Sequence, residues 1–151
     1  MDTVDYGKLL DQLIRIEGTR LACYRDAAGN LIVCPGHYVD PMGVRGNRMA
    51  VLEVDVRAVA RELEELWPPV RKLDAVRKRV LIHMAFNMEV RGLLPMMRFL
   101  SAVDFHLWDT AADEMLISEW AKKSAGRATL LADMIRTGRE SWMDASQTTN
   151  A

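Results

Sequence analysis

Cysteine and histidine are scarce in this chain. Only two cysteines, Cys23 and Cys34, occur among 151 residues, and they form no C-x-x-C pair. The three histidines stand apart at positions 37, 83 and 106. A structural zinc site takes four Cys or His ligands at short spacings, so no metal site can be drawn and no cofactor is expected. Long apolar runs are also missing. No stretch approaches the roughly 18 apolar residues that a membrane-spanning helix needs. The first residues, Met-Asp-Thr-Val-Asp, are acidic and read as neither secretory signal nor signal anchor. The expectation is therefore a soluble protein made in a cytoplasm, without membrane insertion. Nor is there an excess of charge of either sign. Twenty Lys and Arg face 21 Asp and Glu, a net charge of −1. Bulk charge gives no pull toward nucleic acid. No internal repeat is visible.

What is present is enough for a packed core. Half of the residues are hydrophobic, which excludes a disordered chain as the default. The length suits one domain, or two lobes that share a helix. Charge is offset along the chain. Residues 1–70 hold 8 Lys/Arg against 11 Asp/Glu, and residues 71–137 hold 11 against 8.

Periodicity predicts mostly helices. Leu9, Leu10, Leu13 and Ile14 fall at helical spacing within 4–16, and Gly18 is a natural stop. Val56, Val59, Leu63 and Leu66 mark one face of a helix over 51–66, which Pro68-Pro69 ends. Asp74 can cap a third helix, apolar on more than one side and so expected to be the buried central one. Shorter helices are expected over 92–105, 108–121 and 125–137, with Asp109 and Ser124 as caps and Gly138 as a C-terminal stop. The segment after Gly18 differs. The apolar runs 21–24 and 31–34 flank Asp26-Ala27-Ala28-Gly29-Asn30, a β-hairpin composition. Residues 35–49 read as an irregular loop.

Two carboxylates attract attention. Glu17 ends the first helix, and Asp26 sits in the hairpin turn. Such a pair facing one cleft can divide acid and base roles, as glycoside hydrolysis requires. On spacing alone, both are also ordinary surface residues.

A resemblance bears on that choice. Ile16-Glu17-Gly18-Thr19-Arg20-Leu21, Tyr24-Arg25-Asp26, Gly29 and Gly36-His37 resemble the front of the phage-type lysozymes, glycoside hydrolase family 24. The rear resembles it too, through Leu73-Asp74-Ala75-Val76-Arg77-Lys78, Leu81-Ile82-His83-Met84, Phe86-Asn87-Met88, Trp108-Asp109, Trp120, Arg127-Ala128 and Arg136-Thr137-Gly138. The likeness covers most of residues 4–138 and is weak between His37 and Leu73. It implies Glu17 as general acid and Asp26 as second carboxylate. It also implies that Arg127 pairs with Glu17 across the cleft, that Phe86 and Tyr38 line the substrate cleft, and that His37 is structural, with Asp55 as candidate partner.

The chain departs from the family at one catalytic position. A threonine that helps to hold the attacking water is replaced by Ile32, whose side chain cannot hydrogen-bond. No serine or threonine occurs between Thr19 and Ser101 to stand in. Asn30 or Cys34, two residues either side, could supply a polar atom. Phe99 and Glu114 also stand where some members place small or amide side chains.

The resemblance implies one lysozyme-like domain over 1–151, of α+β class. A β-hairpin lobe at about 17–50 is joined by a long helix at about 51–68 to an all-helical lobe made of 1–16 and 69–140. It implies a monomeric muramidase, an endolysin that cleaves the β-1,4 bond between N-acetylmuramic acid and N-acetylglucosamine of bacterial peptidoglycan. Such an enzyme acts on the wall after release from a host cytoplasm. Because of Ile32, two alternatives stay open: a lytic transglycosylase that uses Glu17 alone, and a glycan-binding domain with impaired turnover. Cys23 and Cys34 are expected to be free thiols in a cytoplasm, with a bond after release left open.

Overall fold

The computed structural model describes residues 4–17, 24–25, 31–33, 37–39 and 48–141. Among them helices dominate. Helix α1 spans Tyr6–Glu17, and the Asp5 carboxylate accepts from the Lys8 amide at 3.0 Å to start it. Its inner face buries Leu9, Leu10 and Leu13 together with two polar residues, Gln12 and Glu17.

Helix α2 spans Arg48–Leu66. Its buried stripe is Leu52, Val56, Ala60 and Leu63. Val59 is only partly buried and Leu66 is exposed, so the core face is rotated from the one that the apolar spacing suggested. A 3-10 turn over Pro68–Lys72 follows the helix. Trp67 packs against the core at this junction.

Helix α3 spans Ala75–Leu93 and is capped by Asp74, whose carboxylate accepts from the Arg77 amide at 3.0 Å. Every residue from Lys78 to Ala85 is buried, the pattern of a central helix surrounded by others. The helix is interrupted at Glu89, with φ 63° and ψ 159°. That region is almost confined to glycine, so Glu89 holds local backbone strain.

The rear of the chain is cut into shorter helices than expected. Helix α3 continues to Leu93, and α4 covers Met97–Asp104. Helix α5 covers Trp108–Leu116 and α6 covers Glu119–Lys123. The break between them is made by Ser118, whose hydroxyl donates to Met115 O at 2.6 Å and accepts from the Ala121 amide at 3.1 Å. Asp109 lies in the first turn of α5 and is not its cap. Helix α7 covers Ala125–Thr137 and ends at Gly138 in the left-handed conformation, φ 70°. Arg77 seals this end. Its guanidinium donates to the carbonyls of Ile135 at 2.6 Å and Arg136 at 3.2 Å while lying over the Trp108 ring.

The strands are small. β1 (Tyr24–Arg25), β2 (Leu31–Val33) and β3 (His37–Val39) pair antiparallel in the order β1-β2-β3. Tyr24 stands opposite Ile32, and Ile32 opposite Tyr38. They hold two, three and three residues, against 19 each in α2 and α3. The expected α+β class with a β-hairpin lobe is therefore corrected: the described protein is mostly helical. The physical reason is that so few paired residues make a ladder of a few hydrogen bonds, while the core formed by the described side chains lies among 19-residue and shorter helices and their connections. Within that core α5 packs on α7 and α4, and α3 packs on α2 and α7. No described helix is long and apolar enough to cross a membrane. No cluster of potential metal ligands occurs among the described residues.

Candidate active site

Glu17 is the last residue of α1, and its side chain has no solvent exposure. A lone carboxylate there would be costly to bury. It is not alone. The ring nitrogen Nε2 of His83, from the middle of α3, lies 2.8 Å from Oε1. Arg127, in the first turn of α7, donates from Nη1 to Oε2 at 2.7 Å. One carboxyl therefore joins three helices.

Each partner is itself held. Arg127 Nη1 also donates to Asn87 Oδ1 at 3.2 Å, and Nη2 donates to Ser124 Oγ at 2.5 Å. Ser124 precedes α7 as expected, but its hydroxyl serves the Arg127 guanidinium and not the helix amides. The His83 ring is wholly buried, and its other nitrogen, Nδ1, lies 3.0 Å from Gln12 Nε2 on α1.

Electrostatics follow from these neighbours. Burial alone would raise the Glu17 pKa; the hydrogen bond of His83 and the charge that its ring carries once protonated, then the Asn87 amide and the Arg127 charge, more than offset it and hold the carboxyl below its ordinary value of 4.5. Burial pushes His83 below its ordinary 6.5, against the raising effect of Glu17, and Arg127 lowers it further. The resting site is an ionised carboxylate beside a neutral imidazole.

The structure thus brings Glu17 and Arg127 together. Phe86 is half-buried against the core, next in sequence to Asn87. It borders a cavity of about 330 Å³ shared with Val59 and Glu62 of α2 and with Glu89 and Arg91 of α3. Asp55 lies half-buried on α2. Asp26, Cys23 and Cys34 lie outside the described residues, as do the side chains of Ile32, His37 and Tyr38 and the expected pairing of His37 with Asp55. Phe99 is buried in the core, and with Glu114 it borders a second cavity of about 330 Å³ near Met97 and Ile117.

Two residues of this site escape sequence reasoning. His83 reads as one of three scattered histidines, and Gln12 reads as part of a helix. A signal for each exists. His83 and Asn87 are four apart and so share a face of α3. Gln12 is a polar residue beside Leu9 and Leu13 in an apolar stripe.

No protein-family model matches the chain. The chain is 24% identical over 162 aligned residues to a protein of Dictyostelium discoideum named probable T4-type lysozyme 1. The alignment takes in 87% of this chain and 95% of that protein. A buried, doubly held carboxylate at the end of α1 thus belongs to a chain similar, over most of its length, to a protein named as a lysozyme.

Proposed function

We propose that the protein is a muramidase of the phage-type lysozyme kind, hydrolysing the β-1,4 bond between N-acetylmuramic acid and N-acetylglucosamine in bacterial peptidoglycan. The observation that carries this reading is the Glu17 carboxyl, buried and oriented through both oxygens by His83 and Arg127. A group fixed in that way can deliver a proton to a leaving sugar oxygen at a set angle. Asp26 serves as the second carboxylate, on the water or the cationic sugar. In the free protein Glu17 is held ionised. An acid must carry a proton, so turnover is expected to rise as pH falls toward the pKa of Glu17. Phe86 and Tyr38 supply the cleft wall, and no cofactor takes part. The biological role is that of an endolysin, monomeric, made in a host cytoplasm and acting on the wall after release.

Ile32 supports a second reading. It stands on β2 without a hydroxyl to hold water. A lytic transglycosylase needs chiefly one acid–base Glu, because a substrate hydroxyl is the nucleophile.

Digestion of purified peptidoglycan followed by mass spectrometry of the products tests both. Reducing-end N-acetylmuramic acid marks hydrolysis, and 1,6-anhydro ends mark transglycosylation. Glu17→Gln lowers turnover by about 10²- to 10⁴-fold under either reading. No cleavage by the folded wild type overturns both, and full activity in Glu17→Gln removes Glu17 from its role.

A further inference from the structure

Gln12 is a wholly buried amide on the apolar face of α1. Burying an unpartnered amide costs about 1–3 kcal/mol, so its position asks for a reason. Its neighbour supplies one. Gln12 Nε2 lies 3.0 Å from His83 Nδ1, and His83 Nε2 lies 2.8 Å from Glu17 Oε1. The chain runs Gln12, His83, Glu17, Arg127, and the first three members are almost without solvent.

With the Gln12 amide nitrogen facing the ring, the directions of these bonds follow. An amide nitrogen only donates. His83 Nδ1 must therefore accept, and the one proton of the neutral ring sits on Nε2, aimed at Glu17 Oε1. An ionised carboxylate only accepts, so the chain is consistent throughout. In this arrangement Gln12 Oε1 is buried and has no hydrogen-bond partner among the described residues.

That orphaned oxygen becomes useful when one proton is added. If Glu17 is protonated and its O–H donates to His83 Nε2, the ring proton must move to Nδ1. If the ring is an imidazolium beside a carboxylate, Nδ1 also carries a proton. Either way Nδ1 becomes a donor and needs an acceptor. Rotating the Gln12 amide, which is nearly isosteric, presents Oε1 to it. A leucine or methionine at position 12 could serve neither state, and a carboxylate could serve only the protonated one.

We infer that Gln12, His83 and Glu17 form one hydrogen-bonded chain whose polarity reverses as a unit when the Glu17–His83 pair takes up a proton, making Gln12 and His83 positioning residues for the acid. The functional meaning rests on Glu17 being that acid; the reversal itself does not. Among the described residues, the charged groups that bear on His83 are Glu17 from α1 and Arg127 from α7; Asn87, on α3 itself, is neutral. Arg127 opposes charge on the ring and Glu17 favours it, so the added proton is shared along the Oε1–Nε2 contact.

Histidine-ring 15N and carboxyl 13C NMR of the full chain tests this, with His83 signals assigned through their loss in His83→Gln and those of Glu17 through Glu17→Gln. At neutral pH, Nδ1 of His83 is expected unprotonated and Nε2 protonated. On acidification, Nδ1 gains its proton in the same transition that moves the Glu17 carboxyl signal. Gln12→Glu should hold a proton on Nδ1 at neutral pH and raise the shared midpoint by about one pH unit or more. In the active enzyme it should shift the pH–kcat profile by the same amount with little change in KM. A protonated Nδ1 at neutral pH in the wild type, or separate transitions for Glu17 and His83, overturns the inference, as does Gln12→Glu with an unmoved midpoint. The wild-type spectra decide even where the variant does not fold. They also separate the two claims: correct ring tautomers without wall cleavage would refute the proposed function alone, and cleavage with the wrong tautomers would refute the chain alone.

Discussion

Arg127 Nη1 and Glu17 Oε2 stand 2.7 Å apart across 110 residues of sequence. The contact ties α1 to α7, the first and last of the described helices. The Glu17 side chain is fully buried, and that of Arg127 is 13% exposed, so solvent screens the pair little. Removing one partner from a buried pair leaves the other charge uncompensated. Arg127→Ala should therefore destabilise the fold by about 3 kcal/mol, read as a lower urea midpoint. In a Glu17→Gln background the same substitution should cost markedly less. Equal losses in both backgrounds would show that the two residues are not coupled.

Acid should weaken the fold in two windows. The folded pKa of His83 lies below its ordinary 6.5, so as pH falls below that value the unfolded chain takes up a proton that the folded chain refuses. The folded pKa of Glu17 lies below its ordinary 4.5. Its stabilising contribution is complete above that value and is lost as pH falls toward the folded pKa. In both windows the unfolded state binds more protons, so the two losses have the same sign. Each can reach a slope of about 1.4 kcal/mol per pH unit. Urea titrations from pH 8 to pH 3 should show stability declining from about pH 6.5 downward. His83→Gln should flatten the upper window and also shrink the lower one, because His83 is the largest influence that lowers the Glu17 pKa.

The helical skeleton was legible in the sequence because periodicity, caps and breakers agree there. Asp74, Pro68 and Gly138 act where they were expected to. The expected helix over 108–121 is divided because Ser118 competes for the backbone on both sides, which propensity alone does not reveal. The expected α+β class does not hold because short apolar runs around a turn give strands of only two or three residues, which carry little structure beside 19-residue helices. The contact between Glu17 and Arg127 was legible through the family resemblance. Gln12 and His83 were not, because their meaning lies in a contact 71 residues apart.

Glu89 offers a test of strain. Its φ of 63° and ψ of 159° suit glycine, and its side chain is exposed. Glycine relieves the steric cost and gives back part of the gain through its greater freedom when unfolded. Glu89→Gly should stabilise the protein by about 1 kcal/mol, seen as a higher Tm. A lower Tm would mean that contacts of the Glu89 side chain outweigh its backbone strain.

Ile32→Thr addresses the chemistry most directly. Position 32 lies on β2 between Tyr24 and Tyr38, where the resemblance implies a hydroxyl. If water attacks the sugar, restoring that hydroxyl adds one hydrogen bond to the nucleophile. A net hydrogen bond of about 0.5–1.5 kcal/mol raises the rate about 2- to 12-fold. The expected outcome is that rise in reducing-end N-acetylmuramic acid, with the Glu17→Gln, Ile32→Thr double variant as inactive as Glu17→Gln. Product that stays in the 1,6-anhydro form, with no rate increase, would instead assign the internal hydroxyl as nucleophile, because a better-held water then has no step to accelerate.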